Sequence, residues 1–468
     1  MSKKFPEYKG LDLPKVNNEV LKMWDDHDTF RKSLRSRDGK GEFVFYEGPP
    51  SANGMPGIHH VMARAIKDAI CRFRTMQGYE VRRKAGWDTH GLPVELGVEK
   101  ALGITKEDIG TKISVDEYNE ACRKDVMKYT DAWEDLTRHM GYWIDMDNPY
   151  ITYDNRYIET LWWLLKQLYN KGLLYEGYTI QPYSPAAGTG LSSHELNMPG
   201  CYRDVKDTTC IALFSLIRNE KSEFLFRGTG TGKTDAGGLG SGIADATRVN
   251  ASGSDSGSVE TDSVKIMAWT TTPWTLPSNT ALAVGPDITY VRVSTVNPYT
   301  SEPITVILAE DLLPVIFAPD KKLEYTVTGK YKGSQLKDIE YEQLIDWVKP
   351  DAGAFRVITG DFVTTVDGTG IVHIAPTFGA DDYRAGREHG IPPLMVLMSD
   401  GFQGPLVDRR GRMVPMDDLD QAFVATRVNT KTYGPFAGRY VKNEYDDTIP
   451  EGTETLDVDI AVMLKQQG

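Results

Sequence analysis

The sequence predicts an α/β domain built on a parallel sheet, followed by a second, mostly β domain. Near the N-terminus two strand-like runs flank a helical pattern, and two long helices follow. From Leu173 onward short β-branched runs alternate with Pro and Gly, and the clearest runs are 264–269, 304–308, 325–328 and 370–374. The 468 residues suffice for two separate cores, and we predict domains at residues 1–180 and 181–468.

The elements of the first domain follow from hydrophobic periodicity and turn residues. They are a buried strand at 42–47, a Gly/Pro loop at 48–57, a helix at 61–76, a strand at 79–85, and helices at 116–140 and 155–170. A strand, a helix and a second strand connected in this way form a parallel pair. Ligands bind beyond the carboxyl ends of parallel strands, where the loops after both predicted strands lie.

Composition excludes several classes of protein. No run approaches the ~20 apolar residues of a membrane helix, and the N-terminal residues lack the apolar stretch of a signal peptide. The four cysteines are far apart without a C-x-x-C pair, which argues against a zinc site and a disulfide framework and favours a reducing cytoplasm. The net charge of −13 disfavours indiscriminate nucleic-acid binding. We therefore expect a cytoplasmic protein, and we expect it to be a monomer.

Residues 228–263 predict a flexible surface insertion within the β domain. Of these 36 residues, 9 are Gly and 11 are Ser or Thr, so the segment cannot bury enough surface to order itself. It contains Gly232-Lys233-Thr234, which invites comparison with a phosphate-binding loop. That motif requires Gly at the position that Arg227 occupies, and no apolar strand precedes it, so a phosphate-binding loop is excluded.

A cluster of basic residues lies between residues 64 and 84. On charge alone, a solvated helix face is the favoured interpretation, ahead of a local nucleic-acid surface. The acidic total of the chain does not exclude a local basic surface of this kind. The cluster consists of Arg64, Lys67, Arg72, Arg74, Arg82, Arg83 and Lys84.

Two loops at the predicted strand ends carry candidate site residues. In residues 48–60 a Gly/Pro loop leads to two histidines, and a helix is predicted to start just after them. Helix-terminal N–H groups favour phosphate, and imidazoles can stabilise a charged phosphoryl transition state. In residues 86–95, Asp88 could bind an ammonium group. The first loop is equally well interpreted as a helix start with two exposed histidines. In the second loop, Asp88 is also open to interpretation as a helix N-cap.

The β domain carries two further candidate segments, residues 269–279 and 368–383. Three adjacent hydroxyls in the first can position a water molecule and a ribose, and an Asp in the second can hold an α-ammonium group. Taken separately, each segment is also compatible with a Thr-rich strand or a turn Asp. The candidate residues are Thr270, Thr271, Thr272, Trp274, His373 and Asp382.

In order and spacing, these four segments together resemble class I aminoacyl-tRNA synthetases, and residues 86–95 resemble the isoleucyl group. Gly57-Ile58-His59-His60 stands where the class has its signature H-I-G-H, with the first and third positions exchanged, as in some eukaryotic-like isoleucyl enzymes. His60 matches the second histidine of the signature, and His59 is the candidate to replace the first. The resemblance covers the chain except residues 228–263.

The resemblance implies a Rossmann-type parallel-sheet catalytic domain with an inserted, mostly β-barrel editing domain. It implies ATP-dependent activation of isoleucine, transfer to the isoleucine tRNA and hydrolytic editing of valyl-tRNA, with ATP and its Mg²⁺ but no zinc or other protein-bound metal. The family's second ATP motif, K-M-S-K-S, is not found between residues 1 and 468. We therefore expect an N-terminal fragment. A free-standing editing hydrolase and a non-catalytic tRNA-binding module are the alternatives.

The resemblance also implies a role for each candidate residue. In the synthetic site, Pro49 and Asp88 would contact isoleucine, while Gly57, His59 and His60 would face ATP. In the editing site, an Asp would anchor the ammonium group of valine, threonines would orient water at the ester, and a His would help to place the terminal adenosine. These editing residues would be Thr270, Thr271, Thr272, Trp274, His373 and Asp382.

Overall fold

The computed structural model describes residues 10–229, 258–261, 263–446, 448–450 and 452–467. The chain divides into two compact units, unit 1 at Met1–Gly177 and unit 2 at Tyr178–Gly468. No helix in the described ranges is long and apolar enough to cross a membrane. Most of the insertion predicted at 228–263 lies outside the described residues, and its flexibility stays a prediction.

Unit 1 combines helices with a small parallel sheet. Its helices are α1 (Leu13–Asp26), α2 (Thr29–Arg35), α3 (Ile58–Met76), α4 (Leu92–Leu102), α5 (Val115–Val126), α6 (Thr130–His139) and α7 (Asn155–Asn170). Its strands are β1 (Phe45–Tyr46), β2 (Arg83–Trp87) and β3 (Asp145–Ile151). Within the described residues these strands pair in parallel in the order β1-β2-β3. The parallel strand–helix–strand unit and the helix at 155–170 are therefore confirmed.

The prediction of one helix over residues 116–140 is wrong, because the chain breaks between α5 and α6. Ser114 caps α5 by accepting the N–H of Glu117, and α5 ends at Val126. At the break, the N–H of Tyr129 donates to the carbonyl oxygen of Ala52 (2.9 Å) in the loop after β1. This contact between distant segments redirects the backbone, and local periodicity contains no sign of it.

The prediction of a buried strand at 42–47 is also wrong in its burial. Its side chains alternate: Glu47 is buried, whereas Val44 and Tyr46 are 64% and 62% exposed. Helix α3 likewise turns an apolar face outward, and its buried residues are Arg64, Cys71 and Thr75. The exposed apolar residues of α3 are Ile58, Met62, Ile66, Ile70, Phe73 and Met76.

Unit 2 is mostly β. Its strands are β4 (Tyr183–Ser184), β5 (Thr189–Gly190), β6 (Cys210–Ser215), β7 (Arg227–Thr229), β8 (Ser258–Glu260), β9 (Lys265–Thr270), β10 (Ala281–Val284), β11 (Thr289–Val296), β12 (Pro303–Ala309), β13 (Thr326–Lys332), β14 (Arg356–Thr359), β15 (Ile371–Ile374), β16 (Val396–Leu397) and β17 (Gln403–Gly404). Its helices are α8 (Ser193–Leu196), α9 (Glu223–Phe226), α10 (Leu313–Ile316), α11 (Gly333–Leu336), α12 (Ala380–His389), α13 (Gln421–Arg427), α14 (Thr430–Tyr433) and α15 (Leu456–Gln467). The β-rich character predicted from Leu173 onward is confirmed.

A mixed sheet organises unit 2, and β9 is its branch point. Over the described residues the order is β13-β11-β12-β9-β15-β10-β14, with β6 also pairing with β9. Strand β6 is antiparallel to β9, whereas β12 and β15 run parallel to it. The core of the unit packs against this sheet and includes Phe214, Ile266, Tyr341 and Trp347. Because β9 and β15 are parallel neighbours, their carboxyl ends, Thr270 and Ile374, lie at the same edge.

Candidate active sites

The loop after β1 borders a cavity of 360 Å³ in unit 1. Pro49 and His60 line this cavity, together with Glu47 and Lys67, which the sequence analysis did not assign to a site. Lys67 and Glu47 form an ion pair of 2.5 Å. The predicted site residues that do not line the cavity are Gly57, His59 and Asp88. The cavity thus combines Pro49, an imidazole and a paired charge beside the start of α3.

Asp88 directly follows β2 and lies next to the loop after β1. Its backbone N–H donates to the carbonyl oxygen of Pro50 (3.1 Å), and its carboxylate accepts the N–H of His90 (3.3 Å). Helix α4 is capped by Gly91, so the helix N-cap interpretation of Asp88 is wrong. The half-buried carboxylate therefore lies at the strand end, beside the cavity rather than in its wall.

The interpretation of the basic cluster as a solvated face is wrong for two of its arginines. Arg64 and Arg83 are only 7% and 2% exposed. The guanidinium of Arg64 lies over the ring of Trp133, 4.9 Å from its centroid, and donates to the hydroxyl of Thr137. Cation–π contacts and hydrogen bonds of this kind compensate for burying the charge.

His60 is held as a neutral hydrogen-bond donor. Its Nδ1 accepts the backbone N–H of Gly57 (2.9 Å), which leaves the proton on Nε2. Burial, and next the charges of His59 and Arg64, lower the pKa of His60. The indole of Trp133 meets the ring edge-on, with centroids 4.6 Å apart. Since α3 begins at Ile58, both histidines lie in its first turn rather than before it.

Gly57 allows the His59 ring to fold back over the backbone. A Cβ atom at position 57 would lie 2.9 Å from Cε1 of His59, closer than real Cβ contacts allow. The φ of Gly57 is −117°, an ordinary extended value, so a side chain at position 57 would conflict only with this position of the His59 ring. The exposed His59 ring lies 3.7 Å from the His60 ring, centroid to centroid. The His59 imidazole therefore covers the place where a side chain at position 57 would begin.

Gly86 makes room for Tyr150, which fixes the start of the cavity loop. The Tyr150 hydroxyl donates to the carbonyl oxygen of Glu47, and a Cβ at position 86 would lie 2.4 Å from the Tyr150 ring. We expect Gly86→Ala to lower the free energy of unfolding of unit 1 by about 1–3 kcal/mol, because it overpacks this contact. Urea denaturation measures the change. Gly97→Ala inside α4 is the matched control, and we expect it to raise stability by up to about 1 kcal/mol; equal changes in both variants would contradict the prediction.

The threonines of unit 2 form a hydrogen-bonded turn at the end of β9. The backbone N–H of Thr272 donates to the Thr270 hydroxyl (3.0 Å), and the hydroxyl of Thr275 donates to the carbonyl oxygen of Thr272 (2.8 Å). Thr270 is buried, whereas Thr271 is exposed to solvent. Thr270 and Thr272 are thus hydrogen-bonded within the turn, whereas the side chain of Thr271 is exposed.

His373 joins this turn from the neighbouring strand β15. Its Nε2 lies 3.0 Å from the Thr275 hydroxyl. Because that hydroxyl already donates to Thr272, Nε2 carries the proton, and Nδ1 is a buried acceptor without a partner in the described structure. Burial lowers the pKa of His373 to about 4, so the ring is neutral at physiological pH.

Asp382 lies in the first turn of α12 and is tied to the turn that follows β15. Its carboxylate accepts the N–H of Ala375 (2.9 Å). Burial, and more weakly the charge of Asp381, raise the pKa of Asp382 to about 6. Trp274 meets Phe378 of the same turn edge-on, with ring centroids 4.9 Å apart. Direct contacts thus link His373 to the threonine turn, and they link Trp274 to the turn after β15, whose Ala375 N–H binds Asp382.

Comparison with protein-family models shows the family to which the chain belongs. Residues 19–443 match the family model described as tRNA synthetases class I (I, L, M and V). The chain belongs to this family. The resemblance stated from the signature segments is therefore confirmed at the level of the class I synthetases.

Individual relatives of this class I synthetase chain are similar over its full length. The chain is 60% identical over 481 aligned positions to the isoleucine–tRNA ligase of Porphyromonas gingivalis, covering 100% of this chain and 39% of the relative. It is 59% identical to that of Bacteroides fragilis, covering 99% and 39%. Among solved structures, GlLeuRS-CP1 has 17% identity and a TM-score of 0.32, covering 56% of this chain and 96% of that one. The chain thus spans about two fifths of the length of these curated relatives.

Several residues that shape the two sites escaped the sequence analysis. Arg64 was assigned to a solvated helix face, and Trp133, Thr275 and Phe378 were given no role in a site. Thr275 stands three residues after Thr272, a spacing that brings side chains together in a 3₁₀-turn, so the sequence did carry a signal for it. The contacts of Arg64 and Trp133 join α3 to α6, and no spacing in the sequence indicates them.

Proposed function

We propose that this chain is the N-terminal part of an isoleucine–tRNA ligase that also hydrolyses misacylated valyl-tRNA. The observation that carries the proposal is the 60% identity of the whole chain to the Porphyromonas gingivalis ligase. In the proposed reaction the isoleucine carboxylate attacks the α-phosphorus of ATP and pyrophosphate leaves. A ribose hydroxyl of the tRNA then takes the isoleucyl group from the resulting adenylate, and AMP leaves. Isoleucine, ATP and the isoleucine tRNA are the proposed partners, and the cytoplasm is the proposed location. The monomeric state stays a prediction.

The proposed architecture is a Rossmann-type catalytic domain with an inserted β-barrel editing domain. The parallel order of β1, β2 and β3 supports the first part, and the mixed sheet of unit 2 supports the second. Large exposed apolar surfaces mark contact sites. The outward apolar residues of α3, and α7 without a buried residue, offer such surfaces. Since the relatives are much longer than this chain, we assign these surfaces to the remainder of a longer protein.

In the proposed synthetic site, Pro49 and Asp88 bind isoleucine. The carboxylate of Asp88 stands at the end of a parallel strand, half-buried, where it suits the ammonium group of an amino acid. The Nε2–H of neutral His60 is suited to donate to charge that develops on the phosphate. The backbone N–H groups that open α3 add to this preference for an anion. Positioning and charge stabilisation are the main contributions a protein can make to such a step.

The glycine at position 57 supports a role for His59 in place of the first signature histidine. The His59 ring lies within reach of the space that a side chain at 57 would enter. Its centroid also lies 3.7 Å from that of His60, with the two ring planes tilted by 44°, so two imidazoles stand together at the start of α3. We therefore assign Gly57, His59 and His60 together to ATP.

In this site Mg²⁺ fits as part of the ATP complex rather than as a protein-held ion. The Glu47 carboxylate in the cavity wall is already engaged by Lys67 and by the hydroxyl of Tyr142. Across the described ranges no three His, Cys, Asp or Glu side chains converge on one point. Mg²⁺ bound to ATP supplies neutralisation of the charge on the leaving pyrophosphate.

In the proposed editing site, Asp382 anchors the ammonium group of the valyl ester. Thr270, Thr271 and Thr272 orient the attacking water, and Trp274 forms part of the wall. His373, whose Nε2 lies 3.0 Å from the Thr275 hydroxyl, is assigned to the placement of the terminal adenosine. Since no covalent nucleophile is needed, the site requires positioned donors and acceptors rather than a Ser–His–Asp arrangement.

A second hydrolytic site follows from the chemistry of the substrate. Isoleucine and valine differ by one methylene, which is worth about 1–3 kcal/mol in an apolar pocket, a general figure for which isoleucyl enzymes are the standard example. Such a pocket cannot exclude valine sufficiently. Hydrolysis of the smaller product in a second pocket supplies the remaining discrimination.

The proposal is tested by incubating this chain with valyl-tRNA and isoleucyl-tRNA, both on the isoleucine tRNA. We expect release of valine at least tenfold faster than release of isoleucine, because the editing pocket selects the smaller ester. The measurement is the initial rate of acid-precipitable label lost from each tRNA. Equal rates for both esters, or rates equal to the uncatalysed loss, would contradict the editing part of the proposal.

The alternatives are not favoured. A free-standing editing hydrolase would not need unit 1, yet the similarity to the Porphyromonas gingivalis ligase extends over unit 1 as well as unit 2. A non-catalytic tRNA-binding module would need neither the unpartnered His373 acceptor nor a half-buried Asp382. The coding sequence beyond Gly468 distinguishes the ligase from the free-standing hydrolase. A ligase is expected to have the second ATP motif there.

A further inference from the structure

A buried carboxylate of α15 contacts the backbone next to the threonines of unit 2. Asp457 is 0% exposed. Its Oδ1 accepts the backbone N–H of Trp274 (2.7 Å), and its Oδ2 accepts from Nζ of Lys442 (2.8 Å). Lys442 also pairs with Asp207 at 2.6 Å. Burial raises the pKa of Asp457, and the Lys442 ammonium opposes this rise.

The Asp457 carboxylate takes the place of a helix cap for the N–H of Trp274. Trp274 is the second residue of the 3₁₀-helix Pro273–Ser278, whose cap residue Thr272 makes no side-chain capping bond. The first N–H groups of a helix have no partner within the helix and require an outside acceptor. Asp457 provides it from a position 183 residues away. The backbone of the threonine turn is therefore fixed by a residue of α15.

Trp274 stands where the two halves of the proposed editing site meet. Its ring packs on Phe378, and the turn containing Phe378 also supplies the Ala375 N–H that binds Asp382. A shift of the Trp274 backbone would therefore alter the spacing between the threonines and Asp382. Misplacement of a reacting group by about 1 Å can cost about 100-fold in rate.

We propose that Asp457 is a positioning residue for the hydrolysis of misacylated tRNA, acting through the backbone N–H of Trp274. This inference rests on the editing function proposed above. According to this inference, hydrolysis depends on the oxygen of Asp457 that accepts the Trp274 N–H. The ion pair with Lys442 offsets the cost of burying the carboxylate and so contributes to stability, without being needed to orient the acceptor oxygen.

Two substitutions separate the acceptor from the ion pair. Asp457→Ala removes both the acceptor of the Trp274 N–H and the partner of Lys442. Lys442→Met breaks the same ion pair but leaves the acceptor, since a protonated carboxyl still has a carbonyl oxygen. Asp459→Ala is the matched control, because Asp459 lies in the same turn of α15 and its carboxylate pairs with Arg439 (2.5 Å).

The measurement is kcat and KM for release of valine from valyl-tRNA, together with the melting temperature of each variant. We expect Asp457→Ala to lower kcat about tenfold at nearly unchanged KM. Lys442→Met should keep kcat within about twofold of the parent while lowering the melting temperature, and Asp459→Ala should keep kcat as well. Equal losses of kcat in Asp457→Ala and Lys442→Met, or no loss in either, would overturn the inference. If Asp457→Ala does not fold, Asp457→Asn keeps an acceptor and is expected to retain kcat within about threefold.

Amide hydrogen exchange of Trp274 distinguishes failure of the editing function from failure of the role of Asp457. In the parent chain and in Lys442→Met the Trp274 N–H should be protected, and in folded Asp457→Ala or Asp457→Gly it should exchange at least tenfold faster. A parent chain that fails to release valine but shows this pattern refutes the editing function and leaves the contact established. A parent chain that releases valine while Trp274 exchange is the same in all variants refutes the role of Asp457 alone.

Discussion

Replacing Asp382 with alanine is expected to lower kcat/KM for release of valine from valyl-tRNA by roughly 10- to 100-fold. A hydrogen bond to a charged group is worth about 1.5–3 kcal/mol, and each 1.4 kcal/mol corresponds to about tenfold. The matched control is Asp381→Ala, because Asp381 is the exposed neighbour and pairs with Arg384 instead. A similar loss in both variants would mean that the helix, not the Asp382 carboxylate, is responsible.

The pH dependence of the same reaction provides a second test of Asp382. Its carboxyl has a pKa of about 6, so the charged form that binds ammonium predominates above pH 6 and disappears as pH falls below it. We therefore expect kcat/KM to decline below about pH 6 in the parent chain and to lose this inflection in Asp382→Asn. His373, with a pKa of about 4, stays neutral and adds no inflection between pH 5 and 8. An inflection that persists in Asp382→Asn would contradict the assignment.

The parts of the fold that follow from local pattern were predictable. Helix α7 occupies residues 155–170 as predicted, because Asp154 caps it and its apolar spacing is regular. The parallel pairing of β1 and β2 follows from the strand–helix–strand order. The strands β9, β12 and β15 overlap the runs predicted at 264–269, 304–308 and 370–374. In each case the information is contained within a few neighbouring residues.

The parts that depend on distant contacts were not predictable. The break between α5 and α6 coincides with a hydrogen bond to Ala52, and the burial of Arg64 depends on the Trp133 ring. The apolar spacing of α3 was correct for a helix, yet periodicity does not reveal which face meets the core of unit 1. For the same reason Asp457 could not be linked to Trp274, since nothing local marks a carboxylate that caps a helix elsewhere.

The second large effect concerns His60 in a full-length protein that contains this chain. We expect His60→Ala to slow ATP–pyrophosphate exchange about 100- to 1000-fold, the range typical for loss of one donor to a developing charge. The loss should appear mainly in kcat, because the contact strengthens in the transition state. His139→Ala is the matched control, since His139 is an exposed histidine that does not line the cavity. An exchange rate within about twofold of the parent would contradict the role of His60.

Two amide substitutions identify which nitrogen of His60 acts. The Nδ1 atom accepts the Gly57 N–H, so the nitrogen available for substrate is Nε2, at the far side of the ring. The side-chain nitrogen of Gln can reach the position of Nε2, whereas that of Asn reaches only the position of Nδ1. If Nε2 donates to the phosphate, His60→Gln should recover at least tenfold of the exchange rate lost in His60→Ala, and His60→Asn should recover little. Equal rates in the two amide variants would show that the imidazole acts through its packing on Trp133 rather than through a hydrogen bond.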